Sequence, residues 1–385
     1  MEKIKIGDAC ELLNGFAFKS ENYVDAGIRV IRIANVQKGY IEDNTPAFYP
    51  ADSEGIDKYM LEENDLLMSL TGNVGRVAIL QKEMLPAALN QRVACLRLKT
   101  DKISKGYLFH ILNSDFFEQK CIQSSNGVAQ KNMSTEWLKE FSIPVYPVEQ
   151  QNEITTILDY LRDIIDKRKQ ELYKLDELIK ARFVEMFGDP TDNSCEDKVE
   201  LSEICEKITD GEHGSVARVS LGHPFLNAKH IMKNGRIDWD TITFIGDEDH
   251  KRIYKRCNPE EGDILLTTTG TIGNVAIMPK YEEVSMDRGI TLLKINRQRV
   301  TSEFVAELLR QPSVQMEMGA NVHASAIGHL FMNKVKKLPA IVPSMERQIE
   351  FTSFVKQVDK SKVVVQKALD EARLLFDSLM QKYFG

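Results

Sequence analysis

Between residues 151 and 188 the sequence places apolar side chains alternately three and four positions apart over almost its whole length. This spacing predicts a long α-helix with a single apolar stripe, which is the seam of a coiled coil. Gly188 and Pro190 mark the C-terminal end of the pattern, because both residue types stop helices. The predicted seam residues are Leu158, Leu161, Ile165, Leu172, Leu175 and Ile179.

The same register returns 197 residues later, so that Leu158 corresponds to Val355. Lys362 is the one position of this second stripe that is not apolar. A single apolar stripe is more often an ordinary helix that faces a core, but two stripes in one register favour two helices that pair with each other. The second predicted seam consists of Val355, Val358, Val365, Leu369, Phe376 and Leu379.

The repeat extends beyond the helices. Residues 63–79 and 261–277 correspond, and both predict two strands joined by a glycine-containing turn, with Thr71-Gly72 or Thr269-Gly270 at its tip. The elements that follow are a helix and a proline-bounded strand, at 107–121 and 141–147 in the first half and at 302–318 and 338–343 in the second. We therefore expect an α/β (α+β) chain with a globular module at 1–147, a long helix at 148–190, a second module at 191–343 and a long helix at 344–385.

Composition limits the classes of function. A net charge of −7 argues against a protein that coats nucleic acid by bulk attraction, so phosphate contacts would need local Lys and Arg clusters or a partner. The six cysteines include no close pair with metal-ligand spacing, and we expect them to be reduced. No apolar run typical of a signal peptide or a membrane span occurs, which predicts a cytoplasmic protein.

Motifs for catalysis are missing. No phosphate-binding loop occurs, and Asn258-Pro259 lacks the second proline and the aromatic residue of a DNA adenine methyltransferase motif. His213, His223 and His230 cluster with Asp210, but their spacing matches no known set of metal ligands. We therefore expect no catalytic residue, no metal and no cofactor in this chain.

Polar side chains of the kind that read DNA bases lie on the predicted hairpins and in the loops beside them. Arg pairs bidentately with guanine, and Asn or Gln pairs with adenine, although an ordinary turn or a solvated strand end also explains each residue. The candidates of the first module are Arg32, Asn35, Thr71, Asn73, Arg76, Asn90, Gln91, Arg92, Gln130 and Lys131. Those of the second module are Asn227, Lys229, His230, Thr269, Thr271, Asn274, Arg288, His323 and Ser325. A basic cluster suited either to phosphates or to a solvated helix face consists of Lys251, Arg252, Lys255 and Arg256.

Several short motifs occur in a fixed order, most of them in both halves. They are Asn14 to Ser20, Asp210 to Ser215, the two Thr-Gly hairpins, Pro147 to Gln151 and Met186 to Pro190. In this order they resemble the DNA specificity subunit of a type I restriction–modification system over essentially the whole chain. One departure is that residues 344–348 lack the Glu-Gln pair that stands at Glu149-Gln150, which puts in doubt whether a partner makes the same contacts with both halves.

The resemblance implies two target recognition domains, each a small α/β module that reads one half of a bipartite sequence in double-stranded DNA. It also implies a pseudo-twofold arrangement in which two long helices form an antiparallel coiled coil between the modules. Such a subunit is not catalytic. It recruits two methyltransferase subunits, which use S-adenosylmethionine, and through them restriction subunits, which use ATP and Mg.

Two alternatives remain open from the residues alone. A duplicated coiled-coil adaptor that binds other proteins would show no sequence-dependent DNA binding, even with its partners present. A nuclease with an unrecognised site would cleave DNA in a metal-dependent assay of the isolated chain.

The seam predicts a specific sensitivity to charge. Leu172→Asp would place a carboxylate in the seam between the two helices and should lower the free energy of unfolding by several kcal/mol. Thermal melting measures the effect. An unchanged melting temperature would mean that the two helices do not pair through this stripe.

Overall fold

The computed structural model describes residues 2–125, 132–192, 198–322 and 328–385, which form two compact units. Unit 1 comprises residues 1–169 and 366–385, and unit 2 comprises residues 170–365. Both units combine helices with small sheets, so the predicted mixed α and β fold class is confirmed.

Unit 1 contains a four-stranded antiparallel sheet in the order β2-β8-β5-β6, a three-stranded sheet in the order β4-β3-β7 and the antiparallel pair β1-β9. Its elements are β1 (Glu2–Lys5), α1 (Ile6–Ala9), β2 (Cys10–Asn14), β3 (Ile28–Ile31), β4 (Phe48–Tyr49), β5 (Leu66–Ser69), β6 (Val77–Ile79), β7 (Ala87–Leu89), β8 (Val93–Leu98), α2 (Lys105–Leu112), α3 (Asp115–Ser124), α4 (Thr135–Glu140), β9 (Ser142–Val145) and the first part of α5 (Val148–Phe187).

Unit 2 repeats this topology, with sheets in the orders β11-β17-β14-β15 and β13-β12-β16 and the pair β10-β18. Its elements are β10 (Lys198–Glu200), β11 (Cys205–Asp210), β12 (His223–Leu226), β13 (Thr243–Ile245), α6 (Asp247–Arg256), β14 (Ile264–Thr267), β15 (Val275–Ile277), β16 (Ser285–Met286), β17 (Ile290–Ile295), α7 (Ser302–Leu309), α8 (Pro312–Ala320), α9 (Met332–Lys336), β18 (Pro339–Ile341) and the first part of α10 (Met345–Phe384).

The central strands β5 and β14 explain why each module forms around one four-stranded sheet. Successive side chains of a strand point to opposite faces. Leu66 therefore packs against the helices of unit 1, whereas Leu67 packs on the side of the three-stranded sheet. In unit 2, Ile264 packs against the helices, and Leu265 packs on the side of the three-stranded sheet. Both faces of these strands are buried, which accounts for their continuous apolar sequence.

The predicted helices at 107–121 and 302–318 are each two helices, so this part of the prediction is wrong. Ser114 begins a new helix, because its hydroxyl accepts a hydrogen bond from the Phe117 backbone N–H at 3.2 Å. In unit 2 the break comes at Pro312, which occupies the first turn of α8. A capping serine in unit 1 and a proline in unit 2 therefore interrupt the helix that the apolar pattern predicts.

The two long helices each run for 40 residues, and the halves that share unit 2 pair in antiparallel fashion. Asp176 contacts Lys362 at 2.7 Å, whereas Phe183, further along α5, packs on Phe351 near the start of α10. Burial lowers the pKa of Lys362, but its hydrogen bond to Asp176 and the nearby carboxylates outweigh this and raise it. The apolar stripe therefore tolerates Lys362 because its ammonium group forms an ion pair with Asp176 on the facing helix.

The predicted seam residues face the interior of their units. Those that are buried are Leu158, Leu161, Ile165, Ile179, Val355, Val358, Val365 and Leu369. Those that are half-buried are Leu172, Leu175, Phe376 and Leu379. Within the described ranges, no helix is both long enough and apolar enough to cross a membrane.

A buried glutamine anchors each long helix to its module. The Gln151 amide donates to the carbonyls of Lys102 and Tyr146, both at 2.8 Å, and accepts from the Ser104 N–H at 2.9 Å. Its side chain is fully buried, so these are the bonds that satisfy it.

Gln348 repeats the arrangement in unit 2. Its amide donates to the carbonyls of Arg299 and Pro343 and accepts from the Thr301 N–H at 2.9 Å. The second helix thus keeps this anchor although it lacks the Glu-Gln pair at 149–150.

Replacement of this anchor should destabilise unit 2. Gln348→Met keeps the side-chain volume but leaves three buried backbone groups without partners, and we expect a loss of about 2–5 kcal/mol in the free energy of unfolding. Denaturant titration measures the change. Gln357→Met, at an exposed position of the same helix, is the control and should change it by less than about 0.5 kcal/mol. Equal effects of both variants would contradict the anchor.

Candidate nucleic-acid interface

In unit 1 the turn between β7 and β8, residues 90–92, lies beside two other loops. The Gln91 N–H donates to the Phe16 carbonyl at 2.9 Å, and the Arg92 carbonyl accepts from Leu70 N–H at 3.0 Å. Thr71, next to Leu70, is bridged to Asn132. The fold therefore brings together the first loop of the module, the hairpin tip and the polar run at 90–92.

In unit 2 the turn between β16 and β17, residues 287–289, has the same surroundings. The Arg288 N–H donates to the Glu212 carbonyl at 2.9 Å, and the Gly289 carbonyl accepts from Thr268 N–H at 2.8 Å. Thr269 is bridged to His329, and its hydroxyl lies 2.7 Å from His329 Nδ1. The two units thus hold equivalent loops with the same backbone bonds.

The hairpin tips owe their shape to glycine and to one buried hydroxyl. Gly72 and Gly270 adopt φ of 73° and 74°, the left-handed region that glycine enters most easily. The hydroxyl of Ser69 accepts from the Arg76 N–H at 3.1 Å, and that of Thr267 accepts from the Asn274 N–H at 2.9 Å. Serine and threonine therefore close the same loop in the two units.

The candidate DNA-binding residues differ in their exposure. Those with exposed side chains are Asn73, Gln91, Arg92, Lys229, Thr271 and Arg288. Those that are half-buried are Arg32, Thr71, Arg76, Asn90, Asn227, Thr269 and Asn274. Four candidates, Gln130, Lys131, His323 and Ser325, lie outside the described residues.

Some half-buried candidates have partners inside their own unit. The Arg76 guanidinium donates to the Gln37 side chain, and the Asn274 amide donates to the Ile231 carbonyl at 2.8 Å. Both bonds join the hairpin loop to the loop that follows the first strand of the three-stranded sheet. These contacts position the loops, and a role of Arg76 and Asn274 in DNA contact stays a prediction.

Asn35 and His230 are buried, and the expectation that their side chains face DNA needs correction. Asn35 Oδ1 accepts from the Arg32 N–H at 2.9 Å, and His230 Nδ1 accepts from the Asn227 N–H at the same distance. The two residues are 3% and 0% exposed. They therefore cap equivalent turns from within the module.

Unit 2 contains an open polar pocket of about 360 Å³ in this region. Four of the residues that line it are candidates from the sequence, namely Asn227, Lys229, Thr269 and Arg288, and Asp287 and Gly289 line it as well. Its further lining residues are Arg218, Ala228 and Thr243.

Sequence reasoning missed Arg218. Its guanidinium stacks 4.3 Å above Phe225 and donates to Thr243 Oγ1 at 3.1 Å, so contacts remote in sequence bring it to the pocket. The sequence signal for it is that Arg218 is the one charged residue in the mostly apolar segment 216–222, just after the Asp210 to Ser215 motif.

The basic cluster of α6 is partly neutralised. Arg252 pairs with Glu212 and, at 2.8 Å, with Asp249, while Arg256 donates to the Gly211 carbonyl. The pKa of Glu212 lies below its ordinary value, mainly because its carboxylate accepts from the Gly214 N–H and, further, because it pairs with Arg252. These two arginines therefore hold the 210–215 loop, and Lys251 and Lys255 are the exposed lysines of the cluster.

The predicted histidine cluster does not converge on one point. His213 contacts Asp210 at 2.8 Å, whereas His223 contacts Asp247 at 3.1 Å. In the part of the chain that the structure describes, no group of three or more His, Cys, Asp or Glu side chains could hold a metal.

The sequence of this chain is similar to those of known proteins. The family model of the type I restriction modification DNA specificity domain matches residues 1–175 and 197–372. The type I restriction enzyme EcoBI specificity subunit of Escherichia coli is 24% identical and aligns with 99% of this chain and 85% of its own length. The putative type I restriction enzyme MjaX specificity subunit of Methanocaldococcus jannaschii is 25% identical over 94% of this chain and 89% of its own length.

Solved structures share the fold. The S subunit of the type I restriction–modification system of M. genitalium has a TM-score of 0.55 at 16% identity, covering 100% of this chain and 96% of that one. A chain from a structure of complex assembly and conformational transition in the type I R-M system has a TM-score of 0.56 at 15% identity, with coverages of 100% and 97%.

The cap at His230 predicts an acid sensitivity of unit 2. Burial, followed by the charge of Lys229, lowers the pKa of His230 below its ordinary value. The unfolded chain, with a histidine pKa of about 6.5, therefore binds the proton more tightly than the folded chain. The stabilisation by the neutral imidazole is complete above this pH and is lost as pH falls through the lowered pKa.

His230→Asn removes the titration but keeps a cap, since Asn35 serves the same purpose in unit 1. The free energy of unfolding of the parent should fall more than that of the variant between about pH 7 and pH 5. The other histidines are common to both proteins. Parallel pH profiles in denaturant titrations would contradict this role of His230.

Proposed function

Because the chain belongs to the type I restriction modification DNA specificity family, it is the specificity subunit of such a system, and we propose that each of its units reads one half of a bipartite DNA sequence. One observation carries this proposal. The two units hold equivalent loops with the same backbone hydrogen bonds but present different side chains there. A shared scaffold with different exposed groups fits two recognition sites of one kind that read different base sequences.

The two units differ at the turn of residues 90–92 and its counterpart, residues 287–289. Exposed Gln91 corresponds to Arg288, and exposed Arg92 corresponds to Gly289. These are changes in hydrogen-bonding capacity, which is what distinguishes base pairs in the major groove.

The charge distribution is consistent with this reading. The net charge is −7, but Lys229 and Arg288 are exposed together around the pocket of unit 2, and Arg92 is exposed at the equivalent turn of unit 1. Local cations of this kind attract DNA to these loops while the rest of the surface repels it. We infer that partner subunits contribute further positive charge.

Catalysis in this proposal belongs to partners. Specificity subunits of this family are DNA-recognition subunits, and neither the adaptor nor the nuclease alternative gains support from the relatives. The repeated units would bind two methyltransferase subunits that use S-adenosylmethionine, and restriction subunits that use ATP and Mg could join them. The chain itself would hold no cofactor and would act in the cytoplasm.

The adenine methylome tests the proposed function. Cells that express the chain with the methyltransferase subunit of its system should methylate one motif with two short specified parts, and cells without the chain should lack it. If the complex assembles but no motif appears, the proposed function is wrong.

Arg92→Ala should affect only the half-site read by unit 1. Loss of an exposed guanidinium that touches a base should weaken binding by about 1–3 kcal/mol and relax specificity there. Methylation rates on duplexes with single base changes measure this. Lys99→Ala, an exposed position just beyond the other end of β8, is the charge-matched control and should have little effect. Equal relaxation in both half-sites would argue against separate recognition by the units.

A further inference from the structure

We propose that Gln91 and Arg288 occupy the same base-reading position of the two units, and that Gln91 reads adenine while Arg288 reads guanine. This inference rests on the proposed function and assigns one base to each half-site.

The equivalence follows from the backbone. Both residues are the middle residue of their turn. Each directly follows a residue that forms an isolated bridge, Asn90 with Phe16 in unit 1 and Asp287 with Glu212 in unit 2. Their backbone N–H groups donate to the carbonyls of those same partners, Phe16 and Glu212, at 2.9 Å in both units. Their side chains therefore leave the backbone at the same point of the same turn.

Both side-chain head groups are available to a ligand. Gln91 and Arg288 are exposed, and neither side chain makes a hydrogen bond or ion pair with the described residues. Other arginines near this surface are engaged, since Arg218 donates to Thr243 and Arg252 pairs with Glu212. A guanidinium without such a partner loses no bond to the described residues when it binds a ligand.

The carboxylate of Asp287, next to Arg288 in the sequence, accepts hydrogen bonds from other groups and does not pair with the Arg288 guanidinium. Asp287 Oδ1 accepts from the Gly289 N–H at 2.9 Å, and Oδ2 accepts from the Asn227 amide at 2.8 Å. One oxygen thus bonds within the turn, and the other bonds to the loop that holds Asn227. Because Gly289 has no side chain where Arg92 stands in unit 1, the pocket beside Arg288 stays open to a base edge.

The chemistry of the two head groups then selects the base. A guanidinium offers two parallel N–H donors, which match O6 and N7 of guanine. An amide offers one donor and one acceptor, which match N7 and the N6 amino group of adenine. Exchange of one for the other at a fixed backbone position leaves a donor facing a donor or an acceptor facing an acceptor.

Two exchange variants in the assembled methyltransferase complex test this assignment. Arg288→Gln should lower methylation of sites that carry guanine at one position of one half-site by roughly 5- to 100-fold, and should shift the preference there toward adenine. Gln91→Arg should change one position of the other half-site from adenine toward guanine. Lys336→Gln, an exposed charge loss in unit 2 outside the pocket, is the control and should leave the motif unchanged.

The outcomes separate the inference from the proposed function. Absence of any motif with the parent chain overturns the proposed function itself. A parent motif that Arg288→Gln leaves intact, or a uniform loss of methylation at all sequences, overturns the base assignment, since uniform loss indicates a phosphate contact. Arg288→Lys keeps the positive charge but lacks the two parallel N–H donors of a guanidinium. Parental activity and specificity in this variant would therefore also overturn the base assignment.

Discussion

Each unit depends on one buried amide that ties the start of a long helix to the module before it. Gln151 and Gln348 each make three hydrogen bonds to backbone groups, one of them to a carbonyl just before the long helix and two to the loop that leads into α2 or α7. A buried group with all its bonds made fixes direction as well as distance, and its loss would leave several unpaired backbone groups. The direction in which each helix leaves its module follows from these bonds.

A similar use of buried polar groups recurs in the interiors of both units. Asp65 is buried beside Arg97, and Asp263 is buried beside Lys294, each accepting from a backbone N–H of its own turn. Such positions tolerate a change of partner as long as the backbone group stays satisfied. Exposed side chains in the loops do not have to satisfy buried backbone groups. Their chemistry can therefore differ between the two units while the scaffold stays the same.

The sequence predicted those features that local periodicity determines. The heptads at 158–179 and 355–379 and the Thr-Gly hairpins were correct, because stripe and turn patterns depend on neighbours a few positions away. The single helices predicted at 107–121 and 302–318 were wrong because capping at Ser114 and a proline at 312 restart the helix. The site was less predictable: His230 is an interior cap rather than a surface group, and Arg218 reaches the pocket through contacts with Phe225 and Thr243.

Site-specific photocrosslinking tests most directly whether each unit reads its own half-site. Ala34 and Lys229 occupy equivalent exposed positions of the two units, and a photoreactive amino acid can replace either one in the assembled complex on its target duplex. We expect position 34 to crosslink to one specified part of the motif and position 229 to the other. Crosslinks from both positions to the same half-site, or from neither position to a specified base pair, would rule out separate recognition by the two units.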